Sequence, residues 1–233
     1  MAKIERLNWD SDFFGYEVGR LDLINSDEFN VEKFISESSS FKLVYILSKK
    51  TIPYEFITLV DRKIIYRKDD ISNVGYNSFK NRLISFDENL HDKKQLIELA
   101  LASGIYSRYN IDSNFNNNEY TKLYTRWILN SINKEIAFEV LIALENKQIL
   151  GFITIGKINS DLADIGLIAV HPDARGRGIG TELINSAIEM AKSKNFKRIQ
   201  VVTQSENIPA CNLYQKANFK EIDITNIYHY WNL

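Results

Sequence analysis

The segment with the clearest chemical potential is HPDARGRGIG at 171–180, which follows the apolar run Leu167, Ile168, Ala169, Val170 and leads through Thr181 into an amphipathic stretch. Glycine tolerates positive φ and lets a ligand approach the main chain, so amides around Gly176, Gly178 and Gly180 can converge on one anion. A helix starting at Ile179 would add about half a positive elementary charge at its N-terminus. Such a cradle suits a pyrophosphate, and Arg175 and Arg177 could add charge-assisted contacts. The same glycines also serve a plain strand-to-helix connection, and exposed arginines beside a turn are commonly only solvated. No Lys-Ser or Lys-Thr pair follows the glycines, and the six-residue dinucleotide fingerprint is missing. Nucleotide hydrolysis and hydride transfer therefore lose ground.

Further along, Asn207 precedes Ile208 and Pro209, the pattern of a helix N-cap with proline in the first turn. Ala210, Leu213, Tyr214 and Ala217 share one face of that helix, so on pattern alone Tyr214 reads as a core aromatic. Two helical turns separate Asn207 from Tyr214, roughly 10 Å along the axis. Asp164, on a central strand, is a candidate base acting through water, but a carboxylate there is more often solvated or paired. Cys211 has no neighbouring histidine in sequence and reads as inert, and His171 reads as a cap for the loop it opens.

These residues need elements to hold them. From residue 82 the pattern predicts a strand, helices at 93–103 and 120–132, then strands at 138–145, 149–158 and 162–170, with Asn146 and Lys147 in a tight turn. A helix at 179–193 follows, burying Ile179, Leu183, Ile184, Ala187, Ile188 and Ala191. Then come a strand at 198–203, a helix at 208–217 and two strands at 220–224 and 227–231. Upstream, strands are expected at 18–23, 42–48 and 63–67 and a helix at 31–38, with no chemical motif. The stretch at 68–80, rich in Asp, Asn and Ser, reads as a connection. The expectation is a mixed α/β (α+β) protein with a mostly antiparallel sheet flanked by helices. A smaller N-terminal α/β unit would span residues 1–80 and a second unit 81–233, and their similar scale allows a degenerate duplication.

Composition narrows the partners. The 233 residues include 29 Lys and Arg against 30 Asp and Glu, a net charge of −1, so no bulk attraction to nucleic acid or anionic membrane is expected. Cys211 is the single cysteine, which excludes an internal disulfide and fits a reducing compartment, and no metal site is expected. No run approaches the roughly 18 apolar residues of a membrane span, and the polar start MAKIERLNWD lacks a signal peptide's apolar core. A cytoplasmic protein with a small-molecule partner is the expectation. The apolar end at 228–233 suggests a surface for homodimer formation.

Arg175, Gly178 and Gly180 resemble the signature of the GNAT superfamily of acyl-CoA-dependent N-acetyltransferases, and the flanking order of elements agrees over residues 82–233. Over nearly the full length the chain is also similar to the TDP-fucosamine acetyltransferase family, which acetylates a 4-amino-4,6-dideoxy sugar on a nucleotide carrier. The matching pieces are LNWDSDFFG at 7–15, residues 127–130, VTQSEN at 202–207 with Tyr214 seven residues on, and Tyr230 with Trp231; the turn is the longer version common in the superfamily. The resemblance implies acetyl-CoA as donor, its pantetheine along Ile168, Ala169 and Val170, where that strand splays from the one at 198–203. Its pyrophosphate would lie on Arg175, Gly176, Arg177, Gly178, Ile179, Gly180 and Thr181. It implies Tyr214 as general acid, since a phenol of ordinary pKa near 10 stays protonated at neutral pH, and Asn207 beside the reacting centre. The acceptor would meet the aromatic and polar stretch 106–124, including Arg108, Tyr109 and Phe115. A GNAT acting on a protein N-terminus or another small amine, and a noncatalytic acyl-CoA-binding module with an inaccessible Tyr214, remain alternatives.

Overall fold

Long apolar, β-branched segments dominate the middle of this chain, and they become the inner strands of one sheet. The computed structural model describes residues 2–25, 29–72 and 83–232. In chain order these form β1 (Glu5–Arg6), α1 (Asn8–Phe14), β2 (Val18–Asp22), α2 (Val31–Ser38), β3 (Leu43–Ser48), β4 (Thr58–Lys68) and β5 (Leu83–Ser85). There follow α3 (Lys93–Ser103), α4 (Arg108–Ile111), α5 (Glu119–Ile132), β6 (Glu139–Glu145), β7 (Gln148–Lys157), β8 (Leu162–Val170), α6 (Ile179–Ser193), β9 (Arg198–Gln204), α7 (Ile208–Lys216) and β10 (Lys220–Trp231). The ten described strands are ordered β1-β2-β3-β10-β4-β9-β8-β7-β6-β5. The β2/β3 and β8/β9 pairs are parallel and the others antiparallel, so the expected mostly antiparallel sheet is present.

Strand β7 is buried along all but its end residues, because helices cover both faces of the sheet there. On one face α6 buries Ile179, Leu183, Ile184, Ala187, Ile188 and Ala191, the six positions of its apolar stripe, against Ile153, Ile155 and Val201. On the other, α3 and α5 pack Leu96, Leu99 and Ile128 over Ile142 and Phe152. Leu183 has no exposed surface; trimming such a side chain to Ala costs about 2–5 kcal/mol, which would loosen the helix that carries the glycine turn. Asn146 and Lys147 both take positive φ, 51° and 65°, and make the expected tight turn between β6 and β7.

Three features differ from the sequence expectation. The last two strands are one: β10 runs unbroken from Lys220 to Trp231, with irregularities at Glu221/Asp223 and Ile227/Tyr228. Its polar middle, Thr225 and Asn226, reads as a turn in sequence, yet β3 and β4 flank it and complete its hydrogen bonding. For the same reason residues 228–232 form no exposed apolar patch, since Tyr228 and His229 are buried in an inner strand. Finally, β4 begins at Thr58, because the charged run Asp61, Arg62, Lys63 continues the strand between β10 and β9. The boundary expected near residue 80, and most of the 68–80 connection, lie outside the described residues.

Candidate active site

Parallel pairing of β8 with β9 runs from Leu162 opposite Arg198 to Ile165 opposite Val201 and stops there. Beyond that point the strands diverge around a cleft of about 610 Å³, lined by Gly166 to Val170 on one side and Val201 to Gln204 on the other. The far edge of β8 stays bonded to β7: the Leu167 amide donates to Thr154 Oγ1 at 2.8 Å and the His171 amide to the Leu150 carbonyl at 2.8 Å. Successive residues of a strand direct their peptide groups to opposite edges. With Leu167 and His171 turned to β7, the amides and carbonyls of Ile168 and Val170 point into the opening. These are the free backbone groups expected for a pantetheine arm.

The glycine turn closes one end of the cleft. Gly176 and Gly178 have φ of 76° and 83°, a region that strains any residue with a Cβ. Gly178 is the N-cap of α6 and offers no side chain to it, and the first helical bond is from the Glu182 amide to the Gly178 carbonyl at 3.1 Å. The amides of Ile179, Gly180 and Thr181 therefore have no partner within the helix and mark an anion site. A Cβ on Gly180 would lie 3.3 Å from Leu213 Cδ2, so the turn is seated against α7. His171 caps the short turn Pro172–Ala174, its Nδ1 accepting from the Asp173 amide at 3.3 Å.

Every residue expected to bind the donor lines the cleft except Arg177. Its guanidinium is held by Glu145 at the end of β6, with Nη2 to Oε1 and Oε2 at 2.8 and 3.0 Å. Flanked by two glycines at positive φ, Arg177 is turned outward by the backbone. Arg175 borders the cleft and makes no ion pair among the described residues. The side chain of Ile179 belongs to the core and only its backbone serves the site.

Helix α7 fills a second wall. Asn207 Oδ1 accepts from the Ala210 amide at 3.3 Å, so this residue caps the helix while it borders the cleft. Tyr214 is 2% exposed and packs against Tyr66 and Phe219, with ring centroids 5.7 and 6.2 Å away, yet it also lines the cleft. The core-aromatic reading and the site reading thus describe two edges of one ring. Burial pushes its phenol pKa well above 10, so the group is a proton donor at neutral pH. Cys211 is buried, with Sγ 3.7 Å from the Gln204 carbonyl, and burial raises its thiol pKa. Asp164 sits where β8 and β9 are still paired, accepts from Gln200 Nε2 at 3.2 Å, and does not line the cleft. It is not placed to act as a base.

From the other face of the sheet, Ala102, Ser103, Ile105, Tyr106 and Tyr124 border the opening. Arg108, Tyr109 and Phe115, expected to meet the acceptor, turn inward instead. Arg108 Nη2 donates to the Tyr109 hydroxyl at 2.6 Å, with its guanidinium 5.0 Å from the Tyr45 ring centroid, and Phe115 packs on Trp231 at 5.1 Å. Beside them, Asp112 Oδ2 accepts from Trp231 Nε1 at 2.8 Å and lies 2.6 Å from His229 Nδ1. Burial holds His229 down to about pKa 4 despite this neighbour, so the ring is neutral at pH 7 and donates through Nδ1. Burial would raise Asp112, but the bonds from His229 and Trp231 outweigh it and bring the carboxyl down to about 2. This buried polar group escapes sequence reasoning because its members lie 117 residues apart and no spacing rule connects them.

Residues 104–219 match the Acetyltransferase (GNAT) family. The chain is 26% identical over 140 residues to the spore coat polysaccharide biosynthesis protein SpsD of Bacillus subtilis (strain 168), covering 60% of this chain and 48% of that protein. It is 38% identical over 77 residues to a streptothricin acetyltransferase of Escherichia coli, covering 33% of this chain and 44% of that one. The chain therefore spans about half the length of the curated relatives it matches. A solved structure, a functionally unknown conserved protein of Staphylococcus epidermidis ATCC 12228, shares the fold with a TM-score of 0.65 at 12% identity, over 93% of this chain and 85% of that one.

Proposed function

We propose, on the premise that residues 104–219 carry a domain of the GNAT acetyltransferase family, that this chain transfers an acetyl group from acetyl-CoA directly to the amine of a nucleotide-linked 4-amino-4,6-dideoxy sugar. The observation that carries the reading is the opening between β8 and β9, where the described pairing ends at Ile165 and the Ile168 and Val170 backbone groups face the gap beside the uncapped N-terminus of α6. That pairing fits a donor with an amide-bearing arm and a pyrophosphate. Bound there, acetyl-CoA supplies an activated thioester carbonyl.

The chain's own groups account for the rest. The α6 amides and Arg175 hold the diphosphate, and Ile168 and Val170 fix the arm as an added edge would pair with a strand. An inward amide of β8 polarises the carbonyl as charge develops on its oxygen. Tyr214, kept protonated by burial, donates to the departing sulfur. Nothing in this arrangement calls for a covalent enzyme intermediate, and Cys211 is too buried to provide one.

The sugar acceptor is supported by the similarity to SpsD and by the half-buried Tyr106 at the cleft, whose ring suits stacking on a base or pyranose. A second reading, transfer to another small amine, is favoured by the similarity to streptothricin acetyltransferase. Thiol release from acetyl-CoA across a panel of TDP- and UDP-linked 4-amino sugars separates the two. Turnover on a TDP-linked 4-amino-4,6-dideoxyhexose is expected, reduced roughly tenfold or more in Tyr214→Phe while donor binding persists. Donor binding with no sugar acetylated would remove the sugar reading and leave donor recognition standing. Full activity of the Tyr214→Phe protein would remove Tyr214 as the acid.

A further inference from the structure

The mechanism above lacks a group to take the acceptor's proton, and the structure holds a buried carboxylate, Asp61, whose Oδ1 has no hydrogen-bond partner among the described residues. Six buried side-chain polar atoms have no hydrogen-bond partner among the described residues, and four of them, Tyr16 Oη, Asp61 Oδ1, Arg108 Nε and His229 Nε2, surround the polar group between β4, β10 and α4. Asp61 is 7% exposed and forms no ion pair among the described residues. The buried Arg108 guanidinium supplies an opposing charge without a hydrogen bond to it, and a buried polar atom left without a partner calls for an explanation.

Its position is set by β4. Lys63 stands opposite Gln204 and Ile65 opposite Val202, and Asp61 lies two residues further along on the same face, about 7 Å from Lys63. Gln204 and Val202 line the cleft, so Asp61 follows them just beyond the end of β9, where the Ser205 amide donates to the Arg62 carbonyl at 2.9 Å. Tyr124 lines the cleft, and its phenol is raised by burial, lowered by a hydrogen bond with Ser107, and acted on more weakly by the charges of Arg108 and Asp61. The Tyr124 ring occupies the space over Gly104, where a Cβ would fall 2.2 Å from Cζ. Asp61 itself stands one layer behind the cleft wall.

We propose that Asp61 takes the acceptor's ammonium proton, drawn from the cleft along the Tyr124 hydroxyl, and is the positioning residue that makes the amine nucleophilic. This rests on reading the cleft as an amine acetyltransferase site. The acceptor arrives as R–NH3⁺ and gives one proton toward Asp61. Its lone pair forms the N–C bond, the C–S bond breaks with its electron pair left on sulfur, and sulfur takes a proton from Tyr214. The second nitrogen proton restores the Tyr214 phenol through solvent, and Asp61 returns its proton to solvent.

The groups facing Asp61 agree with this role. Burial raises its pKa to about 6, while Arg108 from α4 and Lys63 on its own strand pull the other way. Burial raises the phenol of Tyr124 on α5 to about 12, and the Asp61 charge adds to that rise. Beyond Arg108 stand Tyr45 of β3, His229 of β10 and Asp10 of α1. At neutral pH Asp61 is ionised and able to accept.

The test compares wild type, Asp61→Asn, Asp61→Glu and Tyr124→Phe in acetyl-CoA thiol release, with acetyl-CoA affinity measured alongside. The amines are the 4-amino sugar panel, a peptide with a free N-terminus and a polyamine. On whichever amine the wild type acetylates, Asp61→Asn should lose about 100-fold in kcat near neutral pH, with donor affinity unchanged. The loss should shrink as alkaline pH frees the amine by itself, Glu should restore part of it, and Tyr124→Phe should show the same pH-dependent loss. A pH-independent loss, or activity within about threefold of wild type, overturns the proposal. If only non-sugar amines react, the sugar reading fails while Asp61 is still judged. If no amine reacts, aspartate carboxyl 13C NMR of the acetyl-CoA complex decides: a signal lost in Asp61→Asn should titrate near pH 6, and ordinary titration overturns the assignment.

Discussion

Tyr214 and Asp61 represent opposite degrees of legibility at the scale of single residues. The helical face of Tyr214 reads as core and only the family resemblance puts it at the site, and in the structure the ring is both buried and on the cleft wall with Asn207. Asp61 sits in a charged run just before the strand expected at 63–67, and only pairing with strands from distant sequence makes it buried. Its burial has a stability consequence with a definite sign. The folded carboxyl holds its proton up to about pH 6 while the ordinary value is 3.8, so between these pH values the folded chain binds more protons than the unfolded one. The stabilising contribution is present below about pH 4 and is lost as pH rises through 6. That rise corresponds to roughly 3 kcal/mol at 1.36 kcal/mol per pH unit. Asp61→Asn should therefore be more stable than wild type at neutral pH, by about 1–3 kcal/mol in urea unfolding, with the gain fading toward pH 4. A variant less stable at neutral pH would show that the charge is satisfied in the folded chain.

Among the elements, the strand-turn-helix from β8 to α6 was legible almost residue by residue, because its period, its glycines and its apolar stripe all specify one local structure. What the local pattern left open was the direction of Arg177, which the flanking glycines turn outward to Glu145 at the end of β6. The cradle's function should be separable from its stability at Gly178. A Cβ there meets nothing within 4 Å, but φ is 83°, so Gly178→Ala costs about 1 kcal/mol in backbone strain without a clash. Relieving that strain would tilt the first α6 amides away from their common focus. We expect acetyl-CoA affinity to fall about tenfold or more in calorimetric titration, while thermal stability falls only slightly. Equal affinity in the variant would mean that the diphosphate is held by Arg175 and its neighbours without the helix terminus.

For the whole molecule, the decisive fact is the position of β10. The last strand of the chain lies between β3 and β4, so strands from either side of the expected boundary at residue 80 share one sheet. Local patterning carries no information about this insertion, since strand order is set by which edges meet after the elements exist. The Asp112 cluster fastens the arrangement: α4 hangs on β10 through His229 and Trp231, and Asp112 is only 9% exposed. Replacing Asp112 with Asn keeps the shape but leaves a buried donor facing the amide nitrogen, which costs about 2–4 kcal/mol. If β10 joins the two halves into one cooperative unit, that loss cannot stay local. Far-UV circular dichroism, which reports the whole sheet, and tryptophan fluorescence, which reports Trp9, Trp127 and Trp231, should then move together to a lower denaturant midpoint with an unchanged slope. Separate transitions in the variant would mean instead that the stretches before and after residue 80 hold their own stability, and that β10 only touches the first without completing it.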